Sequence, residues 1–337
     1  MFALADLTAP IAGAPMAGGP STPALAAAVT EAGGVGFLAG GYLSAGRVAD
    51  DIAATRALTT GPIGVNLFVP QPSMATSADL ERYREAVTPF AERYGAEPGS
   101  FRDDDDGWTD KLDVITDTAP EVVSFTFGCP EADVITRLRR RGVLTLVTVT
   151  SRDEVRIAID AGADALVVQG PEAGGHRSVF APDRRPPTQA LHDLLAETAA
   201  VGAPMIAAGG IGDAAAVRDA LGAGAVAVQV GTALLLCDEA GTNLAHRTAL
   251  TDPRFTGTVV TNCFSGRYAR SLVNEFTTAY DGVAPPGYPQ VNQITGPIRA
   301  AAVAVGDPQG ASLWAGTSWR GVRAGSAADV VAGLTGE

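Results

Sequence analysis

The sequence predicts a parallel (β/α)8 barrel with a smaller lid domain that is inserted into it and appended to it. Eight short apolar runs alternate with helical segments over the first 236 residues, and the last three runs end in glycine. Strands of this near-continuous apolar kind are buried on both faces, which is typical of parallel sheet. Eight β/α units favour a closed barrel over an open sheet. The 46% hydrophobic content is enough for a sizeable core.

The predicted strands and helices follow one another along the chain. The strands are expected at residues 10–15, 34–40, 62–68, 121–128, 143–149, 164–170, 204–210 and 225–231. Four of the intervening helices are expected at 22–33, 44–58, 133–142 and 151–162. Ser21 or Thr22 caps the first of them, and Ser151 caps the last, with Glu154 at the capping-box position.

Two stretches interrupt this alternation and are assigned to the lid. Residues 69–110 contain prolines, an amphipathic stretch at 80–94 and the acidic run 103–106, which we interpret as a solvated loop rather than a metal site. After residue 238 the pattern changes to single helices and loops, and Arg267 and Arg270 lie three residues apart on a predicted helix. The expected barrel therefore comprises 1–68, 111–236 and about 305–337, and the lid comprises 69–110 and 237–304.

Charge and cysteine usage limit the function classes. The 24 Lys and Arg residues against 37 Asp and Glu give a net charge of -13, which disfavours binding to nucleic acid or an anionic membrane surface. The three cysteines have neither CxxC nor metal-ligand spacing, which indicates a reducing cytoplasm and no metal. The N-terminus lacks a basic signal-peptide region, and the most apolar stretch, 225–237, is too short to span a bilayer. We expect a cytoplasmic monomer or homodimer that acts on a small molecule.

Glycines after the last two strands indicate a phosphate site. Gly209-Gly210 follow the seventh strand, and Gly231-Thr232 open a predicted helix after the eighth. Backbone N–H groups at these loops would converge on one point, where a helix N-terminus favours a phosphate dianion. The alternative is that the glycines only permit tight strand-to-helix turns.

Polar side chains at other strand ends indicate the remainder of the site. Asn66 and Gln169 end apolar strands, so their amides are expected either at a flavin edge or packed against loop backbone. His176 lies on a βα loop beside Gly174-Gly175, where an imidazole can act as a base or hold an anion; an ordinary loop histidine is the alternative. His192 and His246 fall in helical patterns and are interpreted as surface or core residues.

Several of these strings together resemble the nitronate monooxygenase family, formerly called 2-nitropropane dioxygenases. The matching strings are PIAGAPMAGG, PIGVNLF, VVQGPEAGGHR, MIAAGGIGD, AVQVGTALL and FSGRYARSLVNEF. The match extends over most of the chain and is weakest in 69–110 and at the C-terminus. Two departures concern the substrate preference: many relatives have histidine where this chain has Thr126, and Ser178 replaces a glycine that is usual after GHR.

The resemblance implies FMN at the barrel mouth and assigns residues to it. The implied cofactor residues are Ala14, Pro15, Met16, Asn66, Gln169, Gly174, Gly175, Gly209, Gly210, Gln229, Val230, Gly231 and Thr232. On the substrate side it implies Met16, Thr126, His176, Arg177 and Arg267, with His176 as the catalytic residue.

The implied reaction is the oxidation of an anionic alkyl nitronate with O2 to a carbonyl compound and nitrite. An FMN- and NAD(P)H-dependent enoyl-thioester reductase, such as an enoyl-acyl-carrier-protein reductase, is the first alternative, because those enzymes carry similar motifs. A phosphate-binding barrel without flavin and an inactive FMN-binding module are two further alternatives. Fold alone does not decide between them.

Overall fold

The computed structural model describes residues 2–336 and contains the predicted barrel. Within this range the strands are β1 (Ile11–Gly13), β2 (Gly36–Ala39), β3 (Ile63–Phe68), β4 (Val122–Thr126), β5 (Leu144–Val149), β6 (Ala165–Gln169), β7 (Gly175–His176), β8 (Met205–Ala208), β9 (Ala227–Val230), β10 (Thr258–Thr261) and β11 (Ala269–Leu272). Eight of them pair in parallel, in the order β1-β9-β8-β6-β5-β4-β3-β2. A parallel bridge between Ala12 and Val35 joins the two ends of this sheet. The predicted fold class is confirmed as a nearly closed barrel.

Helices surround the barrel strands. They are α1 (Pro23–Glu31), α2 (Ala45–Arg56), α3 (Ser77–Glu92), α4 (Trp108–Thr118), α5 (Ala132–Arg140), α6 (Arg152–Asp160), α7 (Leu191–Ala199), α8 (Ala214–Gly222), α9 (Leu244–Thr251), α10 (Glu275–Tyr280), α11 (Gln290–Ala304) and α12 (Ala327–Thr335). No helix within residues 2–336 is long and apolar enough to cross a membrane.

The predicted helix caps are correct at Thr22 and Ser151 and wrong at Glu154. The Thr22 hydroxyl accepts a hydrogen bond from the Leu25 N–H, and the Ser151 hydroxyl accepts one from the Glu154 N–H. The Glu154 carboxylate turns away from Ser151 and accepts instead from the N–H and hydroxyl of Thr150 and from the Phe180 N–H. This buried carboxylate therefore joins the end of β5 to the long loop after β7, a tertiary use that local spacing does not reveal.

Two clusters of buried apolar side chains stabilise the barrel, and a third stabilises the lid. The barrel interior contains small and branched side chains, among them Ala12, Val122, Val167, Ile206 and Ala227. A larger cluster packs the outer faces of the strands against the helices. The lid cluster joins α3 to α11, with Val87, Phe264, Phe276 and Ile294 at its centre.

The segment after residue 238 departs from the prediction of helices and loops. Residues 258–261 and 269–272 form the antiparallel strands β10 and β11, so Arg267 and Arg270 do not lie on a helix. β7 pairs with the other edge of β11, with His176 opposite Ala269. Pairing on both edges outweighs the local preference of RYARSL, because propensity is weaker than tertiary context.

The acidic run is the expected solvated loop except at Asp106, and a helix follows it. Asp103, Asp104 and Asp105 are exposed. The Asp106 carboxylate pairs with the buried Lys111 ammonium at 2.7 Å and accepts the Tyr42 N–H at 2.9 Å. Lys111 lies on α4, a helix that the sequence did not predict. Residues 2–336 contain no group of three or more His, Cys, Asp or Glu side chains arranged to hold a metal ion.

The C-terminal segment contacts both parts of the molecule. α12 packs against α1 and α8, and its Ala327, Val331 and Leu334 join the cluster on the outside of the barrel. The preceding residues Ala311 and Leu313 pack against β11 and α9. The division into a barrel of 1–68, 111–236 and about 305–337 and a lid of 69–110 and 237–304 stays a prediction.

Candidate active site

A cavity of about 390 Å³ lies at the carboxyl ends of the barrel strands, where barrels of this class hold their ligands. Its wall includes every residue that the sequence assigned to the cofactor: Ala14, Pro15, Met16, Asn66, Gln169, Gly174, Gly175, Gly209, Gly210, Gln229, Val230, Gly231 and Thr232. The lid closes the other side with residues of α11 and with Trp314. The structure thus brings the predicted residues together around one space.

The glycines after β8 are required by the backbone and also leave donors free. Gly209 and Gly210 have φ of +116° and +74°, and a Cβ on Gly210 would lie 2.9 Å from the Cβ of Glu172. Other residues rarely adopt this conformation, so the turn itself demands glycine. Among residues 2–336 the N–H groups of Gly209, Gly210, Gly231 and Thr232 donate no hydrogen bond. Both interpretations of these loops therefore hold: a tight turn, and donors available to an anion.

The predicted helix after β9 is a single 3-10 turn, Thr232–Leu234. Its first residue is tied to the C-terminal segment, because the Gly316 N–H donates to the Thr232 hydroxyl at 2.9 Å. One turn has little macrodipole, so the expected helix charge at this loop is wrong. The loop therefore offers an anion its unbonded backbone N–H groups and the Thr232 hydroxyl.

The three amide side chains at the strand ends are used differently. Asn66 donates through Nδ2 to the Ser124 and Thr126 hydroxyls, both at 2.9 Å. The Gln169 amide bonds the backbone of the loop after β6. Its Nε2 donates to the His176 carbonyl, and its Oε1 accepts from the Ser178 N–H. The buried Nε2 of Gln229 has no partner in residues 2–336. Packing against loop backbone thus describes Gln169, whereas Gln229 retains an unused donor at the cavity wall.

His176 borders the cavity within an aromatic cluster. Its ring centroid lies 5.4 Å from that of Phe127 and 5.2 Å from that of Trp314, and its Nε2 lies 2.7 Å from the Ser265 hydroxyl oxygen. Burial, and then the charges of Arg267 and Arg299, lower the pKa of His176 to about 3. The imidazole is therefore neutral at pH 7. A neutral imidazole favours the expected role of a base.

Arg177 and Arg267 are not in the cavity wall, contrary to the prediction that they contact substrate. The Arg177 guanidinium is buried against Gln169 and the Pro187 carbonyl. The Arg267 guanidinium lies 4.2 Å from the centroid of the Phe127 ring and donates to the Val179 carbonyl at 3.0 Å. Both guanidinium groups are therefore engaged by other parts of the protein and not by the cavity. Arg270, which we also considered, binds the Pro171 carbonyl instead.

Arg299 is the cation that the sequence reasoning missed. It lies on α11, borders the cavity and donates to the Thr295 hydroxyl and to both oxygens of Asn292. It forms no ion pair with any carboxylate of residues 2–336. A single arginine within the otherwise apolar ITGPIRAAAV was the available signal.

His246 is a buried core residue, as one of the two interpretations expected, and the sequence did not indicate that it also lines the cavity. It is buried on α9 and borders the cavity, and burial lowers its pKa to about 4. His192 lies exposed on α7, as predicted. Tyr42, from the loop after β2, is a further wall residue that the sequence did not indicate.

The two residues that depart from the family pattern, Thr126 and Ser178, lie in different surroundings. Thr126 borders the cavity, and its hydroxyl accepts from Asn66. Ser178 is fully buried; its hydroxyl accepts the Phe127 N–H at 3.2 Å and donates to the Thr148 carbonyl at 3.3 Å. Ser178 therefore stabilises the ends of β4 and β5 from behind, and only Thr126 is placed to meet a ligand.

A barrel with its cavity at the carboxyl ends of the strands, free backbone donors and a neutral histidine defines an enzyme of the (β/α)8 class. The family model for nitronate monooxygenase matches residues 2–337. Two similar proteins are the nitronate monooxygenases of Pseudomonas aeruginosa, 42% identical over 93% of this chain and 91% of that protein, and of Paraburkholderia phytofirmans, 40% identical over 100% and 94%. The chain belongs to the nitronate monooxygenase family and is a flavin oxidoreductase.

Solved structures agree with this placement. A nitroalkane oxidase from Streptomyces ansochromogenes superimposes with a TM-score of 0.95 and 45% identity, covering 99% of this chain and 96% of that one. FabK from Thermotoga maritima superimposes with a TM-score of 0.76 and 26% identity, covering 98% and 93%. The barrel is thus shared with both, and the similarity is much greater to the protein named for nitro compounds, which disfavours the reductase alternative.

Proposed function

We propose that this protein binds FMN in the cavity and uses O2 to oxidise alkyl nitronates to carbonyl compounds and nitrite. Two nitronates and one O2 give two carbonyl compounds and two nitrite ions, which balances atoms and charge. The observation that carries this proposal is a half-buried arginine, Arg299, which faces the cavity without a carboxylate partner in a protein of net charge -13.

The fit of FMN depends on hydrogen-bond donors at the cavity that have no partner within residues 2–336. The free N–H groups of Gly209, Gly210, Gly231 and Thr232 are suited to the phosphate. The unpartnered Nε2 of Gln229 is a buried donor that a flavin heteroatom or ribityl oxygen would satisfy. Met16 and Asn66, at the ends of β1 and β3, would border the ring. FMN, when bound, supplies the electron acceptor for the oxidation.

An unpaired cation at the cavity favours an anionic substrate. A buried charge without a counterion is costly, and an anion that enters the cavity relieves this cost. Arg299 is placed to offset the charge of the nitro oxygens directly. Arg267, behind Phe127, adds to the positive potential without contact, since its charge and that of Arg299 both depress the pKa of His176. The folded protein holds both positive charges in place before the substrate binds.

The role of His176 follows from its neutral state. A nitronate and its parent nitroalkane differ by one proton on the α-carbon. When the parent nitroalkane is bound, the neutral imidazole can accept that proton through the ring nitrogen that does not bond Ser265, which forms the nitronate beside an imidazolium. A substrate supplied as the nitronate needs no such step. A nitronate beside the ring raises the pKa of His176 from its low value, because an opposite charge favours the protonated form.

The proposal is tested with the purified protein. We expect a yellow protein with a flavin absorption spectrum, FMN as the flavin released on denaturation, and nitrite formed from propionate-3-nitronate under air. A colourless protein that does not take up FMN would refute the cofactor assignment. A yellow protein that releases nitrite from no nitronate would leave the reductase and the inactive binding module.

The reductase alternative is separated by an anaerobic experiment. NADPH should bleach the flavin within seconds if the protein is an enoyl-thioester reductase, and should leave it oxidised under our proposal. We also infer a cytoplasmic protein that acts as a monomer or homodimer on small molecules. The three free cysteines and the strong negative charge support this location.

A further inference from the structure

We propose that Ser265 is a positioning residue that holds His176 in the tautomer protonated at Nε2, and so presents the unprotonated Nδ1 to the cavity. This rests on the proposed function only for the consequence in catalysis. The tautomer itself is a property of the folded protein and is measured without substrate.

The contact joins two distant parts of the chain. His176 lies on β7, in a loop of the barrel, and Ser265 lies in the turn between β10 and β11. The His176 Nε2 and Ser265 Oγ atoms are 2.7 Å apart. Ser265 is 1% exposed, so water does not compete for this bond. The pairing of His176 with Ala269 places the histidine backbone at the same turn.

The hydroxyl has two further backbone partners. Ser265 Oγ lies 3.1 Å from the Arg267 carbonyl oxygen and 3.3 Å from the Arg267 nitrogen, whose N–H donates to it. The hydroxyl carries one proton and can accept two hydrogen bonds. Three neighbours therefore compete for one donor and two acceptor positions, and only one arrangement satisfies all of them.

In that arrangement Ser265 donates to the Arg267 carbonyl and accepts from both the Arg267 N–H and the His176 Nε2–H. If Ser265 donated to His176 instead, the Arg267 carbonyl would lose its hydrogen bond, since no other residue of 2–336 donates to it. Arg267 is buried, and leaving a buried carbonyl without a donor costs about 1–3 kcal/mol. Such a difference populates the Nε2–H tautomer roughly 5- to 150-fold over the other, at 1.36 kcal/mol per factor of ten.

The consequence concerns the second ring nitrogen. Nδ1 forms no hydrogen bond with residues 2–336, and the accessible part of His176 borders the cavity. In the selected tautomer Nδ1 carries a lone pair, so it is the atom that would accept the substrate proton. In the other tautomer the cavity would face an N–H donor, and His176 would not be a base.

The direct test is nitrogen-15 NMR of the flavin-loaded protein. Two-bond nitrogen–proton correlations distinguish the two neutral tautomers, and the chain has only three histidines. The His176 signals are those lost in His176→Asn, and exposed His192 is the reference for exchange between tautomers. We expect His176 to be at least about 80% in the Nε2–H form at pH 7. A predominant Nδ1–H form, or an equal mixture, overturns the proposal.

Ser265→Ala tests the assignment by removal of the hydroxyl. We expect a mixture of tautomers, a fall of kcat for a neutral nitroalkane of about tenfold, and an unchanged FMN affinity and KM. Ser265→Thr, which keeps the hydroxyl, should restore the Nε2–H form. Ser271→Ala is the matched control, because Ser271 is also buried and its hydroxyl bonds the backbone at Leu313 and forms no hydrogen bond with His176. If Ser265→Ala keeps the Nε2–H form, or Ser271→Ala disturbs it equally, Ser265 does not select the tautomer.

Discussion

Arg299→Met is the change that most directly tests the origin of anion binding in the cavity. The substitution keeps an unbranched stem of similar reach and removes the charge. In the wild-type protein the guanidinium is held by the Thr295 hydroxyl and by Asn292, at 2.7–3.2 Å, and by no carboxylate. Its full charge is therefore available to a bound anion, and removing it should weaken nitronate more than any neutral ligand.

The magnitude follows from the type of contact. A hydrogen bond to a charged group contributes about 1.5–3 kcal/mol. Because 1.36 kcal/mol corresponds to a factor of ten, kcat/KM for a nitronate should fall roughly 10- to 150-fold. The proposed cofactor donors at Gly209, Gly210, Gly231 and Thr232 are unchanged, so the flavin content should stay within about twofold of wild type.

Nitrite release is measured against nitronate concentration, with flavin absorbance and the thermal midpoint as checks on folding. Arg299→Lys should recover most of the lost activity, because it keeps the charge. Arg93→Met is the matched control, since Arg93 is an exposed lid arginine that pairs with Glu275. A nitronate kcat/KM within twofold of wild type in the folded Arg299→Met variant would show that the anion is recognised elsewhere.

Three further changes follow from the same site. His176→Ala should keep FMN and lower turnover of a neutral nitroalkane at least tenfold, because the cavity loses its base; an unaltered rate would exclude His176 from the reaction. Gly231→Glu should expel FMN, since a Cβ there already meets the Ala14 Cβ at 3.2 Å and a carboxylate would face the phosphate; full flavin content in that variant would place the phosphate elsewhere. The folded-state pKa values of His176 and His246, about 3 and about 4, lie below the unfolded value of about 6.5, so the unfolded state binds more protons between them and stability should fall as pH drops below 6.5. His246→Gln should flatten that decline in denaturant titrations from pH 7 to pH 4.5, and an unchanged slope would contradict the buried neutral state.

The barrel was predictable because each strand carries its own signal. A run such as DALVVQG has four consecutive apolar residues and ends in a turn residue, and it lies at β6 as expected. The cofactor side of the cavity followed for the same reason: in a parallel barrel every strand delivers its carboxyl end to one face. Knowing the strands is then enough to gather Asn66, Gln169 and Gly231 around one space.

The lid side was not predictable from local patterns. The strand character of 269–272 depends on pairing with both 258–261 and 175–176, and neither partner is adjacent in sequence. Arg299 and His246 reach the cavity because helices α11 and α9 pack over the barrel mouth, and no periodicity within those helices indicates which face meets a ligand. Arg267 is the opposite case. Its GR motif matches the family, but its guanidinium lies against the Phe127 ring and does not line the cavity.

The strand β7 has a consequence for attempts to engineer this protein. Since two residues of a barrel loop form one edge of the sheet that β10 and β11 build, the part of the chain carrying the histidine is completed only when residues far downstream have folded onto it. A shortened chain that ends at the last barrel strand would keep the glycine turns and yet leave Gly175 and His176 without a pairing strand. Grafts that exchange the downstream region between relatives must therefore carry the 175–178 loop with them.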